Sequence, residues 1–297
     1  SAAADFDIPY SCRFDVARDT YLSRTPGQAP TSGKIYTVSC WLKVCQAPNT
    51  RQTIYGTQAG DENEDRMVIY REGDPTEGTL RLEWENSAGS PAKKSRRSYA
   101  IFRDPSAWYH MVFAWDSTQG TPADRLKVYV NNELITAWRS DIGEGLDPDE
   151  NEVFRWNANG EPCQVGKASE ATSEFDGYMA EFHSIDGLQL TPSSFGEAGD
   201  YGEWKPKKVE GLTYGDNGFY LDFADAADLG DDESGEGNDF AENNIVATDQ
   251  MLDSPTNNFC TWNPLMYQWN YANTYTEGNL KISFTNAGAY GDGYGTI

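Results

Sequence analysis

The sequence predicts an all-β protein, an antiparallel β-sandwich of the jelly-roll kind, on three observations. Residues 34–45 alternate strictly, with Val38, Cys40, Leu42 and Val44 on one face and Thr37, Ser39, Trp41 and Lys43 on the other. That period of two, carried by β-branched and aromatic residues, is the signature of a strand. Similar short runs recur through the first two hundred positions, separated by polar, Gly- and Pro-bearing turns. No segment combines a helical period with start and stop signals. Short strands at such spacing argue for packed sheets and against a parallel α/β core.

Taken in order, further strands are expected over 52–55, 66–71, 79–85, 98–102, 108–115, 126–130, 134–139, 164–166 and 177–184. Asn131-Asn132 stands between two of these runs, and such a pair accepts the positive φ angles of a tight hairpin. Thr191 followed by Pro192 suits one short helical turn, because proline is pre-set for a first helical position. Past residue 200 the texture changes. Asn217-Gly-Phe-Tyr-Leu-Asp-Phe reads as one more strand, and residues 225–244 are acidic and rich in Gly and Asn. An aromatic stretch then holds Trp262, Leu265, Met266, Tyr267, Trp269, Tyr271 and Tyr275. The expected organisation is a sandwich over 1–200 and an extended segment over 201–297.

The chain carries 23 basic and 47 acidic residues, a formal charge of −24. The acidity is concentrated late: beyond residue 208, Lys281 is the one basic residue among 15 acids. Such a field repels nucleic acid and anionic membrane surfaces, so neither is expected as a partner. No apolar run reaches the roughly eighteen residues of a membrane span. The first residues have neither the basic start nor the apolar core of a signal peptide, which points to a removed signal or release by lysis. Five cysteines (12, 40, 45, 163, 260) show no metal-ligand or CxxC spacing and read mostly as small buried hydrophobes. The 13% of aromatic residues suits strands and also surfaces that stack on sugars.

Several segments resemble one family. Ala107-Trp-Tyr-His-Met-Val-Phe-Ala-Trp-Asp with Leu126-Lys-Val-Tyr-Val-Asn-Asn-Glu-Leu-Ile is similar to the central hairpin of laminin-G/concanavalin-A-like domains. Phe175-Asp-Gly-Tyr-Met-Ala-Glu-Phe, running into Leu190-Thr-Pro-Ser-Ser-Phe-Gly-Glu, resembles their closing strand and exit. Thr37-Val-Ser-Cys-Trp-Leu-Lys matches a strand near their start. A narrower likeness is to bacteriophage structural proteins, especially marine ones, through Tyr10-Ser-Cys-Arg-Phe-Asp, Phe102-Arg-Asp-Pro-Ser-Ala-Trp-Tyr-His and Asp253-Ser-Pro-Thr-Asn-Asn-Phe. In that group a SPRY-like domain commonly follows. Asn279-Leu-Lys-Ile-Ser-Phe-Thr resembles its opening, and the chain stops at Ile297 before the expected Trp-rich strand. The resemblance implies a virion-surface, extracellular protein that adheres to a host glycan, as a homo-oligomer among other virion proteins. The alternative is an architectural decoration or fibre module that only packs against its neighbours.

The same sandwich carries endoglucanases with a Glu-x-Asp-x-x-Glu strand. The match here, Glu72, Asp74 and Glu77, sits among Gly73, Pro75 and Gly78, which is turn chemistry. His110 and His183 have no nucleophile motif beside them, and no catalytic residue is expected. The resemblance also implies a rim calcium, with Asp65 in the place of the first ligand and Asp141 as the nearest second one. Calcium takes six to eight oxygens, and acidic loops supply them. The turn from Asp231 to Asp239 is a lesser calcium candidate. Lys93-Lys94-Ser-Arg96-Arg97, the lone basic cluster, is expected on a solvated loop, with an anionic partner as the other reading. The aromatic stretch near 262–275 is expected to dock on the sandwich or on a neighbouring subunit, with 225–244 crossing to it as a solvated connection.

Overall fold

The computed structural model describes residues 6–45, 51–57, 65–70, 78–84, 94–102, 104–140, 147–168, 173–264, 273–284 and 294–296. The strands of the sandwich are β1 (Ser11–Phe14), β2 (Tyr21–Arg24), β3 (Ile35–Val44), β4 (Gln52–Thr57), β5 (Arg66–Tyr70) and β6 (Thr79–Trp84). They continue with β7 (Lys94–Ile101), β8 (Tyr109–Asp116), β9 (Leu126–Val130), β10 (Glu133–Leu134), β11 (Cys163–Val165) and β12 (Gly177–Asp186). Shorter strands follow: β13 (Gly196–Ala198), β14 (Trp204–Pro206), β15 (Phe219–Leu221), β16 (Ala241–Asn243), β17 (Gln250–Met251), β18 (Asn273–Thr276) and β19 (Lys281–Phe284). Among the described residues the only helices are four 3₁₀ turns of three residues each.

Two antiparallel sheets form the sandwich. The first runs β10-β9-β8-β3-β12-β1-β17, with β15 also pairing β12; the second runs β16-β2-β11-β4-β5-β6-β7. The alternation read from residues 34–45 is realised in β3: Val38, Cys40, Leu42 and Val44 join the core between the sheets. Its other face is buried too, with Thr37 and Lys43 at 0% and Trp41 at 5% exposure. Asn131 and Asn132 adopt φ of 47° and 70°, the mirror-image turn that matches strand twist. Thr191 precedes the 3₁₀ turn at Pro192, but its hydroxyl meets Ser193 Oγ at 2.9 Å and caps no backbone N–H.

Strand β12 shows how the late residues enter the fold. Along one side it pairs with β3 throughout. Along the other it pairs with β1 up to Met179 and with β15 from Phe182. The register slips by one residue between Ala180 and His183, and Glu181 there sits at φ 47°, as in a β-bulge. Gly177 lies against the neighbouring strand so closely that a Cβ would meet Lys43 O at 2.1 Å. Strand β16 extends the second sheet by pairing β2. The segment after residue 200 therefore adds strands to both sheets, and Phe219, Leu229, Phe240 and Ile245 are part of the shared core.

Two expectations change. Residues 225–244 are not a solvated connection, because Leu229, Asp232, Asn238 and Phe240 are buried. The basic cluster is not a solvated loop either: Lys94 to Arg97 lie in β7 and are mostly buried. Lys94 pairs with Asp149 and Glu152, Arg96 with Asp147, and Arg97 Nε donates to Thr79 Oγ1 at 2.9 Å. Acids from 147–152 neutralise the run, so charge alone did not keep it in water. Most of the aromatic stretch, residues 265–272, lies outside the described residues. The hairpin beyond it docks on the sandwich, with Tyr178 Oη donating to Gly278 O at 2.7 Å and Asn279 Nδ2 to Cys45 O. Cys12, Cys40, Cys45 and Cys163 are buried thiols, and Cys260 is exposed.

Candidate functional site

The outer face of the first sheet is roofed in two halves. Over one half, Phe195 and Tyr214 pack on Val112 and Ile185. Over the other, Ile8 and Phe6 gather with Trp41, Trp108, Ala180 and Trp204. An open cleft of about 420 Å³ lies at the second half. Trp41 of β3 lines it together with Trp204 and Pro206 of β14, and Phe6, Pro255 and Thr256 come from the segments opposite. Asp7, Glu203 and Lys205 add charge to its lining.

Its aromatic groups are held in place by a buried histidine. The His110 ring stacks on Trp41 at 4.7 Å and lies edge to edge with Trp204, centroids 6.0 Å apart, each pair inclined by 24°. Trp204 Nε1 donates to His110 Nδ1 at 2.9 Å, and His110 Nε2 lies 2.9 Å from Ser39 Oγ. Indole nitrogen is a donor only, so Nδ1 must accept and the ring proton sits on Nε2. Burial and the nearby His183 hold the His110 pKa down to about 3, so the ring stays neutral and the assignment holds at neutral pH. Gly196 in β13 lets the indole lie flat on the backbone, since a Cβ there would meet Trp204 Cζ2 at 2.5 Å.

The opposite wall is pinned by a buried charge. Lys43 Nζ, fully enclosed, donates to Asp253 Oδ2 and Asn258 Oδ1 at 2.8 Å and to Phe259 O at 2.9 Å. Trp108 Nε1 donates to the other oxygen of Asp253 at 3.0 Å. Thr256 Oγ1 takes the Ile8 N–H at 3.0 Å and donates to Asp7 Oδ1 at 2.5 Å. Asp7 and Glu203 are both exposed. The arrangement can hold a flat ligand face against the half-buried Trp204 while carboxylate oxygens accept hydrogen bonds, the usual make-up of a small-molecule site.

The chemistry read from sequence falls elsewhere. Asp65 is fully buried at the start of β5, and its Oδ2 accepts the Arg155 N–H at 2.6 Å. Asp141, Glu72, Asp74 and Glu77 lie outside the described residues. Among the described residues no group of three or more His, Cys, Asp or Glu could hold a metal ion. The Asp231–Asp239 turn is held by its own hydrogen bonds: Asp232 accepts from Tyr220 N, Ser234 N, Ser234 Oγ and Asn238 N at 2.8–2.9 Å. His183 is a packing residue, stacked on Tyr220 at 4.2 Å and bonded through Nδ1 to Tyr214 Oη at 2.8 Å. Sequence reasoning missed Asp7, Glu203 and Trp204. The one signal for Trp204 was an indole set alone between Glu203 and Lys205 in a strand-length run.

Residues 17–192 match the Concanavalin A-like lectin/glucanases superfamily. The chain belongs to that superfamily. No curated protein sequence matches it. Among solved structures, a Bacteroides ovatus protein proposed to bind carbohydrate is similar at a TM-score of 0.50 and 16% identity, over 80% of this chain and 59% of that one. The chain thus spans 59% of that relative's length. Domain 4 of a Geobacillus stearothermophilus extracellular arabinanase, solved with arabinotriose, aligns at 0.42 and 20% identity, over 64% and 76% of the two chains. Mouse laminin α1 domains LG4-5 align at 0.41 and 12%, over 64% and 46%. At these identities the likeness is one of fold.

Proposed function

We propose that this superfamily member is a non-enzymatic glycan-binding protein that works outside the cell through the Trp41–Trp204 cleft. The observation that carries the reading is Trp204, a half-buried indole fixed through His110 in an open cleft bordered by exposed carboxylates, with the buried Trp41 at its floor. Sugars offer an apolar C–H face and a rim of hydroxyls, which this lining complements. Membership of a superfamily that includes lectins agrees with it. A glycan array tests the reading: specific binding is expected, and Trp204→Ala, with its retained fold checked by circular dichroism, should abolish it. An array without hits would overturn it.

The finer setting, a virion surface and attachment to a host, is supported by the segments that resemble phage structural proteins. Antibody labelling of intact particles under the electron microscope tests it. A purely architectural role is favoured by one feature, the exposed Tyr99, Ile101 and Leu134 at the sheet margins formed by β7 and β10, which suit packing against another subunit. Replacing all three with Ser should dissociate such an assembly in analytical ultracentrifugation and leave glycan binding intact. An accessory calcium would rest on Asp65 with the Asp141 loop; a rise in melting temperature with calcium, lost in Asp65→Asn, supports it.

A further inference from the structure

We infer that the ligand of this cleft is a neutral sugar, free of carboxylate, sulfate and phosphate; the inference rests on the reading that the cleft binds a glycan. The charged groups lining the cleft are Asp7, Glu203 and Lys205. The lysine is already engaged, since its Nζ lies 3.6 Å from Glu197 Oε1 of the paired strand. Among the described lining residues an anionic ligand would therefore face two carboxylates with no uncommitted cation, inside the field of a chain carrying −24.

The hydrogen-bonding sense points the same way. Ionised carboxylates accept and do not donate, so a ligand must bring the hydrogens. Asp7 already receives Thr256 Oγ1, and Glu203 Oε2 receives the Tyr201 N–H at 3.0 Å. A carboxylate has about four lone-pair positions, so each keeps capacity for a sugar hydroxyl. Sugar hydroxyls are such donors. Sulfate oxygens and a sialic acid carboxylate are acceptors and would leave the pair unmatched and repelled. Trp204, half-buried, completes the recognition by covering the C–H face, which charge on the ring substituents would keep hydrated.

The test is an array in which each neutral oligosaccharide is matched with its sialylated and sulfated forms, followed by calorimetry on the hits at low and high salt. Hits are expected among neutral glycans, with affinity nearly independent of salt. Glu203→Gln should weaken them about tenfold or more, as hydrogen bonds to charged groups do. Trp204→Ala should remove binding, and Trp204→Phe, which keeps an aromatic face, should retain part of it if the variant melts like the parent. Binding confined to anionic forms, weakened by salt and lost in Trp204→Ala, would overturn the neutral class and leave the glycan site standing. Neutral binding untouched by Trp204→Ala and Glu203→Gln would overturn the cleft, and no binding at all would overturn the site and the class together.

Discussion

Between the two sheets the packing is apolar and aromatic. Tyr36 stacks on Trp115 at 4.6 Å, Tyr55 on Trp156 at 5.0 Å, and Phe182 on Phe219 at 5.8 Å. Residues 201–264 enter that core through Phe219, Leu229, Phe240 and Ile245 and are tied to the rest of the sandwich by carboxylates as well. Asp249 receives Arg13 and Arg18 and the Val246 N–H, Asp253 receives Lys43 and Trp108, and Asp232 gathers its own turn. Burial pushes the Asp249 carboxyl up, but the bonds from Arg18, Val246 and Arg13 outweigh it and hold the group below its ordinary value. The difference teaches that acidic, Gly- and Asn-rich chain is not thereby solvated. Aspartate accepts several bonds at once, and a loop offers many unpaired N–H groups for it to satisfy.

The comparison breaks most sharply at Lys43. Lys43→Ala strands Asp253 in a buried site and should cost about 3–5 kcal/mol, the range for removing one partner of a buried pair. Urea unfolding measures it; a loss under about 1 kcal/mol would mean that apolar contacts alone hold the roof.

Asp176 is the counter-example, a buried carboxyl with no hydrogen-bond partner for either oxygen. Burial, with Asp15 beside it, raises its pKa to about 7. Below the unfolded value near 4 it is protonated in both states and adds no pH dependence. As pH rises towards about 7 the folded protein keeps a proton that the unfolded chain releases, so stability falls across that window, by an amount on the order of a few kcal/mol. Asp176→Asn should therefore be more stable than the parent at about pH 8 and no more stable near pH 4. His110 works in the opposite sense, losing stability as pH falls from about 6.5 towards its folded value of about 3. The variant should accordingly show a stability that rises with pH over that interval. Denaturant midpoints across pH decide; unchanged profiles would remove Asp176 from the account.

A smaller effect is expected at Asp232. Asp232→Ala takes the acceptor from four donors and should cost about 1–3 kcal/mol while the central sandwich persists. Hydrogen exchange should then rise at Tyr220, Ser234 and Asn238 and stay low in β3 and β8. The smallest change is Asn132→Gly, which relieves a left-handed residue in the tight turn and should shift stability by about 0.5 kcal/mol or less, upward. Thermal melts will show its sign.

What the sequence determined by itself was local. Period two marked β3, Asn131-Asn132 marked the hairpin, and the motifs around Trp108 and Phe175 marked the superfamily; each depends on neighbours a few residues apart. Of the cleft, only Trp41 and His110 were legible, as residues of strands with no visible partner. The tertiary structure decided the rest. Trp204 reaches His110, and Lys43 reaches Asp253, only after chain returning from beyond residue 195 is laid across the outer face of the first sheet. The burial of Lys94 to Arg97 likewise waits on acids at 147–152. No period in the sequence records these meetings, because charge and aromaticity state what a side chain can bond, while the pairing of distant strands settles what it meets.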